Sequence, residues 1–162
     1  MPAMTAENGP IVVEQVYSVS TEQLWDAITR PEQMRQWYFE VDDFEATVGF
    51  ETEFVVEVGG REFAHVWKVT EVIPAKAITY NWTYRGYPGD SNVTFELFDE
   101  SAGSRLRLTH RGMESFPQDI PEFARQSCVA GWRHFVCERL KAFDRIMSRD
   151  GGEPPRPEDE LP

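Results

Sequence analysis

Two histidines in this sequence stand at positions where they could support chemistry. His110 lies in "RLRLTH", in phase with Leu106 and Leu108, so its imidazole should face the interior of a sheet. His65 lies in "FAHVWK" and is in phase with apolar neighbours in the same way. An inward histidine can act as a general base, donate to a ligand or be a satisfied core residue. Proton transfer or metal binding would require the two histidines to meet across the sheet.

Arg139 is the third candidate, because it falls within the apolar stripe of a predicted C-terminal helix. Plotted at about 100° per residue, it lies near the middle of that stripe, close to Trp132, Phe135 and Ile146. A buried guanidinium needs a partner to offset its desolvation. One interpretation is structural, with the head snorkelling to a cavity mouth or pairing with Glu51, Glu53 or Glu57. The other is a fixed cation that receives the carboxylate or phosphate of an otherwise apolar ligand.

Motifs for cofactors, metals and nucleophiles are absent from the sequence. There is no HExxH, paired-cysteine or calcium-loop pattern, and neither GxGxxG, GxxxxGK nor GxSxG occurs. Cys128 and Cys137 would stand about 13 Å apart on a helix, farther than the ~7 Å that a disulfide allows. We therefore expect no cofactor, no metal and two free thiols.

The net negative charge of the chain argues against some classes of binding partner. The chain has 162 residues, with 28 acidic against 16 basic side chains and a formal net charge of -12. Such a chain repels phosphate backbones and anionic lipid, so neither nucleic acid nor a membrane surface is an expected partner. No apolar run approaches the ~18 residues of a spanning helix, and "MPAMTAENGP" lacks the regions of a signal peptide. These features and the free thiols indicate a cytoplasmic protein.

Two short helices should follow a first strand, "IVVEQVYSV", whose apolar residues occupy both phases. The helices are predicted at about residues 21 to 28 and 31 to 37. Ser20 and Thr29 are each followed three residues later by Gln or Glu, which is the capping-box spacing. Each helix carries one tryptophan, Trp25 or Trp37, which either packs as core or borders a pocket.

An antiparallel meander is predicted between Phe50 and Gly112, where strand-like runs alternate with turn signals. One face of these strands is apolar and needs a cover. The predicted cover is a single amphipathic helix of about seven turns from Ile120 to Met147, capped by Asp119. The acidic, Pro/Gly-rich residues 149–162 are expected to be disordered. Residues 10–148 then form one domain.

Four stretches, in order, resemble the START-like or polyketide-cyclase-like superfamily. They are "VSTEQLWDAITRPEQMRQW", "VTEVIPAKAITYNW", "LRLTHRGM" and "GWRHF" followed by "LKAF". Within that superfamily the sequence is most similar to homologues of the C-terminal domain of the heat-shock-protein-90 ATPase activator. The resemblance implies an α+β helix-grip fold: a first strand, two short helices, a six-strand meander and a long helix gripped by the curved sheet.

The resemblance also implies a cavity between sheet and helix. The first functional interpretation is non-catalytic binding of a small hydrophobic, anionic or neutral molecule there. The predicted ligand-binding residues are Trp25, Trp37, His65, Trp67, Tyr80, Trp82, Phe95, His110, Trp132, Phe135 and Arg139.

Two other interpretations stay open at this point. One is a stress-response or chaperone-regulating interaction module, as the resemblance to the ATPase activator implies, with a chaperone as partner. The other is a cyclase- or hydrolase-like enzyme with an inward histidine or acid. Edge strands leave both a monomer and a homodimer open.

Overall fold

A six-stranded antiparallel sheet and a C-terminal helix make up most of the protein. The computed structural model describes residues 9–152. The strands are β1 (Ile11–Tyr17), β2 (Glu51–Val58), β3 (Arg61–Ile73), β4 (Ala77–Arg85), β5 (Ser91–Glu100) and β6 (Gly103–Arg111). The helices are α1 (Thr21–Thr29), α2 (Pro31–Trp37), α3 (Arg125–Arg133) and α4 (Leu140–Gly152), with a π-helical turn at His134–Arg139 between the last two. This is the α+β helix-grip architecture that the sequence predicts.

The sheet has the strand order β1-β6-β5-β4-β3-β2. The meander therefore has five strands, β2 to β6, and the expectation of six was wrong, because β1 is the sixth strand and pairs with β6. The alternation in β1, ambiguous from sequence, is resolved by burial. Ile11 is 2% exposed, whereas Val12 is 51% exposed on the outer face.

One face of the sheet is apolar, as the period-2 pattern predicts. Alternate residues of β4, β5 and β6 are buried, and they include Ile78, Phe95 and Leu108. The opposite face carries charged side chains, for example Arg107 beside Glu14 at 2.8 Å. The apolar face must be covered, and the helices and the loop after α2 cover it.

The first helix begins with the predicted capping box, because the Ser20 hydroxyl accepts from the Gln23 backbone N–H. The second predicted box is wrong. Thr29 is the last residue of α1, and its hydroxyl donates to the carbonyl of Trp25 at 2.7 Å, so it cannot cap α2. That helix starts with Pro31 in its first turn instead, which suits a position where no backbone N–H is needed.

The C-terminal helix, residues 125–152, begins later than predicted. Residues Pro121–Phe123 form a short 3-10 turn, and Ala124 precedes α3 in an extended conformation without a side-chain cap. The Asp119 cap is therefore wrong. Phe123 is only 1% exposed and packs among aromatic rings, so the burial of its side chain rather than a polar cap determines the local path.

Two buried polar groups tie this helix to β1. The Tyr17 hydroxyl donates to the Val136 carbonyl in the π turn at 2.6 Å. The Asp144 carboxylate, 3% exposed, accepts from the backbone N–H groups of Ser18 at 3.0 Å and Val19 at 3.2 Å. Because carboxylate–amide bonds are among the stronger hydrogen bonds, Asp144 fixes the strand-to-helix junction against α4.

The end of the chain differs from prediction at its boundary. Helix α4 continues to Gly152, so residues 149–152 are helical rather than part of a disordered tail. The rest of that predicted tail, 153–162, lies outside the described residues. Cys128 and Cys137 are both free thiols, as expected. Within residues 9–152, no helix is long and apolar enough to cross a membrane.

Candidate functional site

The space between sheet and helix is largely filled by aromatic rings, and Tyr38 lies at their centre. Its ring stacks on Trp37 at 4.5 Å and on Trp67 at 5.4 Å. It also meets Phe135 edge-on at 5.1 Å. The Tyr38 hydroxyl forms a 2.9 Å hydrogen bond with the hydroxyl of Tyr80. The loop that follows α2 therefore fills much of the volume in which the sequence predicted a ligand.

A smaller pocket remains beside this cluster, with a volume of about 100 Å³. Its lining consists of Phe39, Trp82, His110, Cys128, Gly131, Trp132 and Phe135. A cavity of ~150 Å³ can hold benzene, whereas drug-sized ligands need about 300–1,000 Å³. The pocket is smaller than that benzene cavity, so it suits the end of a molecule, and a whole ring requires the lining side chains to shift slightly. A sterol or polyketide would fit only if the aromatic side chains moved.

His110 lies at the back of the pocket, with both ring nitrogens engaged. The Trp132 indole N–H donates to Nδ1 at 3.0 Å, so the proton of the neutral ring is on Nε2. Nε2–H then donates to the Ser91 hydroxyl at 2.9 Å, and Ser91 donates to the Trp82 carbonyl at 2.7 Å. Burial lowers the pKa of His110 to about 3. This histidine is a neutral, satisfied core residue rather than a free general base.

His65 is also buried, 5% exposed, and does not meet His110. Its Nδ1–H donates to the Phe63 carbonyl at 3.0 Å, and burial lowers its pKa to about 4. The Trp82 ring lies between the two histidines, 5.5 Å from one and 5.2 Å from the other. Among residues 9–152, no group of three or more potential ligands could hold a metal ion.

Arg139 is exposed, so the prediction that it points into the cavity was wrong. Its guanidinium donates to the Gln36 carbonyl at 3.2 Å and borders a surface groove on the far side of α2. The π turn explains the error. A π turn holds more residues than an α turn, so each residue advances by less than the ~100° assumed for the whole helix. The buried positions around the π turn are Trp132, Val136 and Leu140, spaced by four, and the same spacing leads on to the buried Asp144.

The remaining predicted residues lie in the aromatic cluster or beside it. Trp25 is partly buried on α1, and Trp37 is fully buried with its N–H donating to the Ala27 carbonyl at 2.8 Å. Trp37 thus packs as core. Trp67, Tyr80 and Phe95 are buried without lining the pocket. Of the predicted set, the structure brings to the pocket Trp82, His110, Trp132 and Phe135.

Three lining residues were missed in the sequence. Phe39 follows α2 in a loop without a periodic signal, and Cys128 was weighed only as a disulfide partner. Gly131 did carry a signal, since an isolated glycine inside a helix usually has a packing or functional reason. A Cβ at Gly131 would meet no heavy atom within 4 Å, so this position leaves open space beside the pocket.

Two buried indole N–H groups lack an acceptor. They are the Nε1–H groups of Trp67 and Trp82, residues that are 0% and 4% exposed. Buried donors without partners are uncommon in folded proteins and each calls for an explanation. The other polar side chains of the pocket lining, His110, Trp132 and Cys128, have partners within the protein.

A family comparison agrees with this geometry. The model of the family described as "Activator of Hsp90 ATPase homolog 1-like protein" matches residues 18–143, which span α1 to α4. The chain belongs to this family. The matched residues include the capped α1 and the helix that carries Trp132. Comparison with curated proteins gives no match.

Solved structures share the architecture of this Hsp90-activator-like chain. CV1439 from Chromobacterium violaceum is 25% identical, with a TM-score of 0.68, and the match covers 88% of this chain and 97% of that one. MLL2253 from Mesorhizobium loti is 26% identical, with a TM-score of 0.64, covering 86% and 97%. CalU16 from Micromonospora echinospora is 22% identical, with a TM-score of 0.63, covering 88% and 82%, and shows the fold alone.

Proposed function

We propose that this protein binds a small hydrophobic molecule, or the hydrophobic end of a larger one, in the pocket between β4, β6 and the C-terminal helix. The observation that carries the proposal is the open space bounded by Phe39, Trp82, Trp132 and Phe135 within an otherwise filled core. Aromatic walls with few polar groups are typical of small-molecule sites. The family's helix-grip architecture supports the same location.

An anionic ligand is no longer part of this proposal. Arg139 lies outside the pocket, and among residues 9–152 no lysine or arginine lines it. A carboxylate placed against these rings would lose its hydration without gaining a charged partner. The pocket's chemistry therefore favours an uncharged occupant.

Titration with toluene, followed by tryptophan fluorescence, tests the proposal. Toluene should bind saturably with a Kd on the order of 0.1–1 mM, which is about 4–5.5 kcal/mol. Gly131→Leu should abolish binding, because the new side chain starts in open space at the pocket. Ala130→Leu is the matched control, since Ala130 is exposed and lies outside the pocket. Equal binding by both variants, or none by the unmodified protein, would contradict the proposal.

Chaperone regulation is the second candidate, and the family match over residues 18–143 favours it. It predicts that the purified protein changes the ATPase rate of an Hsp90 chaperone, whether or not the pocket is filled. Gly131→Leu separates the two candidates, because it blocks the pocket and leaves the outer surface unchanged. Catalysis is not proposed, because His110 has both nitrogens engaged and a pKa of about 3, which makes it a weak base.

A further inference from the structure

The two indole N–H groups without acceptors share one neighbour, the ring of Phe39. The Phe39 centroid lies 5.8 Å from Trp67 and 5.8 Å from Trp82. Phe39 is only partly buried and belongs to the loop after α2, whereas both tryptophans are held on strands of the sheet. An aromatic ring is at best a weak acceptor for N–H. Phe39 therefore packs against both tryptophans without offering their N–H groups a strong acceptor.

The other polar groups of the pocket are not available to a ligand. Trp132 donates its N–H to His110, and the second nitrogen of His110 is engaged by Ser91. The thiol of Cys128 points toward the Phe123 carbonyl at 3.9 Å. Among the lining residues, Trp82 alone has a side-chain N–H without a partner; this N–H is buried and can only donate.

We propose that the ligand is a neutral molecule that carries a hydrogen-bond acceptor, such as a ketone or ether oxygen, next to an apolar ring. Its oxygen accepts from the indole N–H of Trp82, and its ring lies among Trp132, Phe135 and the displaced Phe39. This inference rests on the proposed function and deepens it by naming the ligand class. Nε1 of Trp82 is itself buried, so binding requires a lining ring to move, and we assign that movement to Phe39, which is partly buried on its loop.

Tyr84 is the competing acceptor within the protein. Burial raises the pKa of Tyr84, and the nearby Trp82 N–H partly opposes that rise, so the two groups are close. No hydrogen bond of ordinary length and angle joins them, however, and Trp82 Nε1 remains unpaired by geometry. A ligand oxygen aligned with the N–H would therefore gain a bond that the free protein lacks.

Three probes of matched size test the proposal: acetophenone, α-methylstyrene and benzoate. The first two differ only by an oxygen in place of a methylene group, and the third adds a charge. Affinities are measured by NMR titration of the protein's amide signals. We expect acetophenone to bind about tenfold more tightly than α-methylstyrene, as one added hydrogen bond to an unpaired buried donor implies. Benzoate should show no saturable binding.

Trp82→Phe should remove the preference, leaving acetophenone with the affinity of α-methylstyrene. Trp25→Phe, on a partly buried tryptophan away from the pocket, should keep the tenfold ratio. Equal affinities for ketone and alkene in the unmodified protein would overturn this inference while leaving the proposed function standing. Saturable binding of benzoate as tight as that of acetophenone would overturn it as well. If neither neutral probe binds, the proposed function itself fails. The ratio in the unmodified protein decides the matter even if Trp82→Phe does not fold.

Discussion

The indole N–H of Trp132 donates to Nδ1 of His110 at 3.0 Å, and this bond joins the C-terminal helix to the last strand of the sheet. It fixes the tautomer of His110, whose Nε2–H donates a hydrogen bond to the Ser91 hydroxyl. His110, the residue most readily interpreted as a catalytic base, therefore has a structural role: it links Trp132 and Ser91 by hydrogen bonds. The same bond holds one wall of the pocket in place, because both residues line it.

His110→Phe should destabilise the protein by about 1–3 kcal/mol. The phenyl ring is aromatic and somewhat larger than the imidazole, and it leaves the Trp132 N–H buried without an acceptor. The free energy of unfolding in urea measures the effect. His134→Phe is the control and should stay within about 0.5 kcal/mol, since His134 is exposed. A loss of the same size in both variants would contradict the role of the network.

Stability should fall as the pH drops below about 6.5. Burial lowers the pKa of His65 to about 4 and of His110 to about 3, from an ordinary value of 6.5. Between these values the unfolded chain binds more protons than the folded one, so acid favours unfolding. Each histidine contributes up to about 1.4 kcal/mol per pH unit at the lower end of this range. Urea unfolding at pH 7 and pH 5 measures the slope.

The double variant His65→Phe/His110→Phe separates the histidines' contribution to the pH dependence of stability from that of the carboxylic acids. It should flatten the slope between pH 7 and pH 5, although it is less stable at pH 7. Glu14 and Glu53 have pKa values lowered below their ordinary 4.5 by hydrogen bonds to arginines, so they act at lower pH. An unchanged slope in the double variant would show that the buried histidines are not its source.

Asp144→Asn should cost about 1.5–3 kcal/mol of stability. The carboxylate accepts from the backbone N–H groups of Ser18 and Val19, and an amide would turn an NH₂ group toward one of these donors. Urea unfolding provides the measurement. Asp43→Asn, in the exposed loop after α2, should have little effect. Equal stability of the two variants would mean that the junction does not depend on the buried carboxylate.

Phe39→Ala should enlarge the pocket and admit larger neutral aromatic molecules, because the ring removed lines the pocket and packs against Trp67 and Trp82. We expect naphthalene to bind this variant at least about tenfold more tightly than the unmodified protein, with roughly 1–3 kcal/mol of stability lost. Fluorescence titration measures the naphthalene affinity, and urea unfolding measures the loss of stability. Phe98→Ala, on the outer face beside Arg105, is the matched control and should not change naphthalene affinity.

The fold was predictable because its signals are local and repeated. The capping residue Ser20, the period-2 strands and the apolar stripe of the last helix each indicate one element. The start of that last helix could not be predicted from the sequence, since the burial of Phe123 overrides the polar cap expected at Asp119. Tertiary packing commonly overrides such local preferences.

The site was predictable only in part. Trp82, His110 and Trp132 follow from strand and helix phase, and they do line the pocket. Arg139 does not line the pocket, because a single π turn changes the helix face on which it lies. Plotting the helix at a constant angle per residue cannot show that turn. Nor does any periodicity place Phe39, which reaches the pocket from an irregular loop.

The indole N–H signals of the tryptophans offer the most direct test of ligand binding in this pocket. In a two-dimensional NMR titration with acetophenone, the signals of Trp82 and Trp132 should shift saturably with one common Kd. The signal of Trp25, which lies outside the pocket, should stay in place. If no indole signal shifts up to the solubility limit of acetophenone, or if the Trp25 signal shifts as much as that of Trp82, the pocket is not a binding site.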